Sequence, residues 1–153
     1  MARHVLSKRD MKSFEAKMRD YGLWADFMGT SKIEVDEKKD RRCFFIGNVI
    51  ISVEREELIP SIDLLNAVKP GTRTMEVDDG AAVHVLKGAK LFIKGVSYIS
   101  DDVVSGQLVY IKDRTGKFIA VGKASESKQD LDKMESGVAA TMILTYGTNP
   151  CDA

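Results

Sequence analysis

The residues best suited to chemistry in this chain lie between Asp79 and Asp101. Acidic side chains stop at the first and return only at the second, while Lys87, Lys90 and Lys94 fall in between, so the interval carries positive charge and no negative charge. Lysine ammonium groups spaced in this way hold phosphate oxygens. Gly88 and Ala89 sit between the first two lysines, and neither has a bulky side chain to keep an incoming backbone at a distance. Their amides, if free at a helix exit, would complete a phosphate seat. The same residues also read as an ordinary helix stop flanked by solvated lysines.

Other candidates are sparse. His4 and His84 are the only histidines, neither belongs to a recognisable triad, and His84 reads as a helix-surface or half-buried residue. The adjacent pairs Asp78-Asp79 and Asp101-Asp102 fall at helix starts or turns and read as caps. No phosphate-loop or dinucleotide fingerprint is present, because Gly88-Ala89 and Gly95 lack its spacing. Cys43 and Cys151 have neither a second cysteine pair nor a histidine cluster beside them, so they are expected to be free thiols. The chemistry expected is therefore binding, with no catalytic residue, no cofactor and no metal.

The elements that position the lysines can be read around them. Gly80 eases a strand-to-helix corner after Val77, and Asp78 or Asp79 accepts from the first-turn amides. Ala82, Val85 and Leu86 form the apolar side of a two-turn helix. Gly88 ends it in the left-handed conformation, and a second apolar strand runs through Leu91 to Val96.

Several short motifs then agree in order and spacing: Asp79-Gly80-Ala81-Ala82, Leu86-Lys87-Gly88-Ala89-Lys90-Leu91, Gly95-Val96, the run from Gly106 to Ile111 and the run from Gly116 to Ala124. Together they resemble the PUA domain, a small RNA-binding module, over residues 73–147. Upstream, Leu58-Ile59-Pro60-Ser61-Ile62-Asp63-Leu64-Leu65 is similar to the junction in the malignant T-cell-amplified sequence family and its archaeal relatives, which carry a pre-PUA domain before the PUA domain. The resemblance implies an α+β N-terminal domain over 1–72 followed by a small mostly-β PUA-like barrel over 73–153. It further implies attachment to structured RNA, ribosomal or transfer, in translation, with the small ribosomal subunit as a docking partner and no DNA. Lys87 and Lys90 are expected on phosphates, Gly88 and Ala89 at a close backbone approach, and Lys94 as a weaker charge contact. Tyr146 adds stacking or packing. The alternatives are a protein-interaction adaptor and the RNA-targeting subunit of a modification enzyme.

Composition bounds these readings. The 153 residues include 23 Lys+Arg and 23 Asp+Glu, a formal net charge of +0, so any attraction to RNA must be local. Residues 1–73 hold 14 basic and 12 acidic side chains against 9 and 11 for 74–153, which disfavours indiscriminate phosphate binding. With no long apolar run at the start or later, a cytoplasmic protein is expected.

Reading the chain in order, Ser7 and Asp10 mark a helix start, and Met11, Phe14, Met18 and Tyr21 recur at helical spacing, giving a helix from Lys8 to Asp20 with Lys8, Arg9, Lys12 and Arg19 outside. A short helix over Leu23 to Met28 should bury Trp24 and Phe27. Lys32 to Asp36 alternates as a strand, and a hairpin turns at Gly47-Asn48. Lys38, Lys39, Arg41 and Arg42 form a second basic cluster in the preceding turn. Pro60-Ser61 opens a helix that Pro70-Gly71 closes. Strands from Gln107 to Lys112, Lys117 to Lys123 and Ala139 to Tyr146 follow, with a helical turn within Ser127 to Met134 and a loose tail from Asn149 to Ala153.

Overall fold

The computed structural model describes residues 3–152. The readings made above for the chain start and for Ala153 lie outside the described residues. The chain divides into two compact units, the first comprising residues up to 68 together with those from 149 onward, the second residues 69–148.

The first unit is a five-stranded sheet with helices. Strands β1 (His4–Val5), β2 (Ile33–Glu37), β3 (Arg42–Ile46), β4 (Val49–Glu54) and β5 (Leu58–Pro60) lie in sequence order and pair antiparallel throughout. Helix α1 (Lys8–Asp20) starts where Ser7 Oγ accepts from the Asp10 amide, as the spacing predicts. It buries Phe14 and Met18, and the Phe14 ring meets Phe44 of β3 at 4.6 Å between centroids. Glu54 ties helix to sheet, because its carboxylate accepts from both Lys17 of α1 and Arg42 of β3. Helix α2 is short (Asp26–Gly29), and Phe27, expected in the core, is exposed. Only one side of a single helical turn can face inward, and Met28 takes it. Helix α3 (Ile62–Val68) is capped by Ser61 Oγ at the Leu64 amide and packs on β4.

Two expectations fail at the chain's end. Cys43 of β3 and Cys151 are joined in a disulfide rather than being free thiols. Residues 149–152 are correspondingly no loose tail. Cys151 packs with Cys43 and Val53, its carbonyl accepts from Arg41, and its amide donates to Asn149 Oδ1. A lone pair of cysteines 108 residues apart gives no spacing signal in the sequence; only the fold brings them together.

The second unit is a six-stranded, nearly closed barrel. Its strands are β6 (Thr74–Val77), β7 (Leu91–Phe92), β8 (Val96–Ile99), β9 (Leu108–Lys112), β10 (Phe118–Ala124) and β11 (Val138–Thr145), in the order β7-β11-β10-β9-β6-β8. Among these strands β6 and β9 run parallel, and the other neighbours are antiparallel. Helix α4 (Asp79–Leu86) packs on β7, β10 and β11, and α5 (Lys128–Leu131) supplies the turn expected before the last strand. Strands β9 and β10 are apolar without alternation, and both of their faces are covered, so nearly every side chain is buried. Met75, Val85, Leu91, Val109, Ile111 and Ile119 form the centre of the core. The architecture is therefore the expected one, an α+β unit followed by a small mostly-β barrel.

The apolar run from Leu91 to Val96 is not one strand. It breaks into β7, a 3-10 turn (Ile93–Gly95) and β8, and β7 and β8 are the two edges of the sheet. Gly95 makes the break, since a Cβ there would lie 2.5 Å from the Ala81 Cβ of α4. Its carbonyl accepts the Asp78 amide at 2.9 Å, so the turn is locked onto the helix start.

Candidate nucleic-acid interface

Helix α4 follows from its sequence signals. Asp78 Oδ1 accepts the Ala81 amide at 2.8 Å, and Asp79 stands in the first turn, where negative charge complements the helix dipole. Ala82 and Val85 face the core. Leu86, expected with them, is 42% exposed, and with Val83 (52%) one turn earlier it forms an outward apolar edge. Phe92, the outward residue of β7 beside the buried Leu91, is 56% exposed. Sequence reasoning missed these three. Their signal was present in the i, i+3 spacing of Val83 and Leu86, one residue on from Ala82 and Val85 and so turned about 100° away from them, and in the alternation of Leu91 and Phe92.

At the exit of α4, Gly88 adopts φ +82°, with nothing within 4 Å of a Cβ built there. The amides of Gly88 and Ala89 are not free for a ligand. They donate to the Val85 and His84 carbonyls at 2.9 and 3.1 Å, the closure that left-handed helix ends commonly use. The expected amide seat is thus occupied by the helix itself. What remains open is the side-chain surface: residues 86–90 are exposed without interruption, as is Lys94 on the 3-10 turn. None of Lys87, Lys90 and Lys94 carries an ion pair among the described residues. Uncommitted ammonium groups beside small residues and exposed apolar side chains can meet phosphates and the flat faces of sugars or bases together.

Several of the other charged groups are committed. In the cluster from Lys38 to Arg42, Arg42 is held by Glu54 at 3.1 Å through Nε, while Arg41 bonds Asp40 and the Cys151 carbonyl. Of the basic residues there, only Lys38 and Lys39 stay exposed. On the outer face of α1, Arg19 pairs with Glu15 and lies over the Trp24 ring. Elsewhere on the barrel, Lys117 Nζ stands 4.2 Å from the Tyr146 ring centroid, and Tyr146 is exposed. Of the two aspartate pairs, Asp78 caps α4, and Asp102 accepts from the Arg73 amide, the Thr72 hydroxyl and the Ser100 hydroxyl. Burial pushes the Asp102 carboxyl up, but the Arg73 amide, the Ser100 hydroxyl, its own backbone amide and the Arg73 charge outweigh it and hold it below the usual carboxylate range. His84 is exposed.

A nearly closed six-stranded barrel with one parallel strand pair and a two-turn helix packed on it, following an α+β unit, defines the class: a small two-unit protein whose second unit is a PUA-type barrel. The chain belongs to the PUA-domain proteins. The PUA domain model matches residues 73–143, and a model described as a domain of unknown function (DUF1947) matches residues 2–67. A conserved PUA domain protein from Thermoplasma acidophilum is 32% identical, with 97% of this chain and 96% of that one aligned at a TM-score of 0.87. The "Probable tRNA pseudouridine synthase B" of Methanocaldococcus jannaschii is 28% identical over 97 residues, covering 58% of this chain and 29% of that protein. The chain spans less than a third of the length of the pseudouridine synthases it matches. The archaeal box H/ACA Nop10-Cbf5 complex aligns at a TM-score of 0.50 and 25% identity, over 57% of this chain and 27% of that one. Among the described residues, no helix is long and apolar enough to cross a membrane.

Proposed function

We propose that the protein binds structured RNA through the exit of α4 and acts as a binding module rather than an enzyme. Lys87, Lys90 and Lys94 hold phosphates, Gly88 and Ala89 allow the backbone close, and Val83, Leu86 and Phe92 contact sugars or unpaired bases. The observation that carries this reading is the set of three exposed lysines without ion-pair partners on a PUA domain, two on the exposed stretch 86–90 and one on the following 3-10 turn. The RNA is transfer or ribosomal RNA, met in the cytoplasm during translation, and the small ribosomal subunit is a docking partner. The matches to proteins named as tRNA pseudouridine synthases favour tRNA over rRNA, and support, as a second reading, a detached RNA-targeting subunit for a modification enzyme.

The test is titration of purified tRNA with wild type and the Lys87→Glu, Lys90→Glu double variant. The variant is expected to bind several-fold more weakly, with the slope of log K against log salt reduced by about 2, one for each lysine that no longer neutralises a phosphate. Its melting temperature should be unchanged, since both residues are exposed. Undiminished binding would remove this surface from the interface. Crosslinking in cell extract then separates the readings, with ribosomal fragments on peptides 87–94 supporting translation and a modification enzyme in the crosslinked complex supporting the second.

A further inference from the structure

The edge of a β-sheet leaves backbone donors and acceptors unpaired, and natural edges are kept short or guarded by proline and lysine. Among the described residues, the edges of the first unit are β1, two residues long, and β5, three residues ending in Pro60. In the second unit the β7 edge has two residues. The opposite edge, β8, has four, Val96-Ser97-Tyr98-Ile99, with neither proline nor lysine among them.

The outer side of β8 is open. Ser100 donates its amide to the Thr74 carbonyl of β6 at 2.9 Å, so by the alternation of an antiparallel ladder Ile99 turns its N–H and C=O away from β6. Among the described residues, no backbone hydrogen bond joins 97–99 to any segment but β6. A groove of about 430 Å³ lies between β8 and α5, within the ~300–1,000 Å³ typical of ligand sites. All four residues of β8 line it, including the half-exposed Tyr98. Successive side chains of a strand point to opposite faces, so a groove that meets four in a row runs along the edge itself.

The rest of the lining states what fits. Ile93, Leu131 and Met134 supply apolar surface. Asp101 and Asp132 both act on Lys128, so one ammonium stands against two carboxylates and one negative charge is left over. That excess turns away a phosphate chain and suits a basic side chain.

We propose that the β8 edge docks an extended segment of a partner protein, which adds as a strand beside β8 and brings a lysine or arginine to Asp101. Main-chain hydrogen bonds to 97–99 hold the segment, its alternate apolar side chains meet Ile93, Leu131 and Met134, and the excess carboxylate selects a basic residue over an acidic one. This docking uses none of Lys87, Lys90 and Lys94, and it stands or falls apart from RNA binding.

The experiment titrates the isotopically labelled full chain with peptides selected on it from a phage-displayed library of short random segments. Selected peptides are expected to alternate apolar and polar residues and to contain lysine or arginine. Each should shift the backbone NMR resonances of residues 96–101 and 128–134 and slow hydrogen exchange at the Ile99 amide. Methylating the peptide amides that face β8 should weaken binding by about tenfold, the scale of one or two lost hydrogen bonds. Replacing the basic residue of the peptide by glutamate should weaken it several-fold in wild type and by a smaller factor in Asp101→Asn, whose melting temperature should be unchanged because Asp101 is exposed. The Lys87→Glu, Lys90→Glu variant should bind the peptide as wild type does. A library that yields no binder, a binder whose shifts fall away from β8, or a methylated peptide that binds as well as its parent would overturn the edge assignment. So would protection of Ile99 in the free chain that rises with its own concentration, which would give the edge to a second copy.

Discussion

At the scale of single residues, two positions concentrate physical consequence. Gly95 has no room for a methyl group, because the Ala81 Cβ would be 2.5 Å away. Gly95→Ala must push the 3-10 turn off α4, at a cost of about 1–3 kcal/mol. Ala81→Gly alone costs ~1 kcal/mol in helix propensity. The two together should recover part of the loss, so a thermal-melt double-mutant cycle is expected to show positive coupling, and strict additivity would mean that this close approach does not set the turn. Glu54 is the second. Burial pushes its carboxyl up, but Lys17 and Arg42 pull it further down, so its folded value lies below the ordinary glutamate one. The sign follows: its contribution is full above the unfolded value and is lost as pH falls through the folded one. Glu54→Gln should therefore destabilise the protein at neutral pH and flatten its stability between neutral and acid pH, as read by urea melts across that range. An unchanged acid slope would show that the pair contributes nothing.

At the scale of elements, the interface was legible in part. The cap at Asp78, the length of α4 and the left-handed Gly88 follow from local chemistry, and all three stand where the sequence puts them. The amide seat did not survive, because the helix end satisfies its own carbonyls with those amides. That outcome depends on how the turn after Gly88 closes, which residue types leave open. The apolar run after it reads as one strand and is not, since hydrophobicity cannot tell a strand from two strand ends joined across a barrel opening.

At the scale of the whole molecule, the disulfide is the main covalent constraint. It joins positions 108 residues apart, and the chain-entropy argument gives about 4.7 kcal/mol for a loop near that size. Thiol alkylation under non-reducing denaturation should label neither Cys43 nor Cys151, and reduction should lower the urea midpoint by several kcal/mol in equivalent stability. Complete labelling without reductant would return both residues to free thiols. Because the net charge is +0, binding to RNA is also expected to depend on the local lysine stretch rather than on the field of the molecule as a whole.

Sequence alone determined the class of fold, since capped helices, alternating strands and glycine turns are each decided by residues close together in the chain. It also determined the location of the basic stretch, because a run without acids is a property of order alone. The tertiary structure decided which lysines lack partners, which apolar residues stay outside, and that Cys43 meets Cys151. It also assembled the groove around Tyr98, whose walls come from segments separated by about thirty residues of chain. These are properties of distance in space, and they exist only once β8 and α5 lie side by side, or the chain end returns to β3.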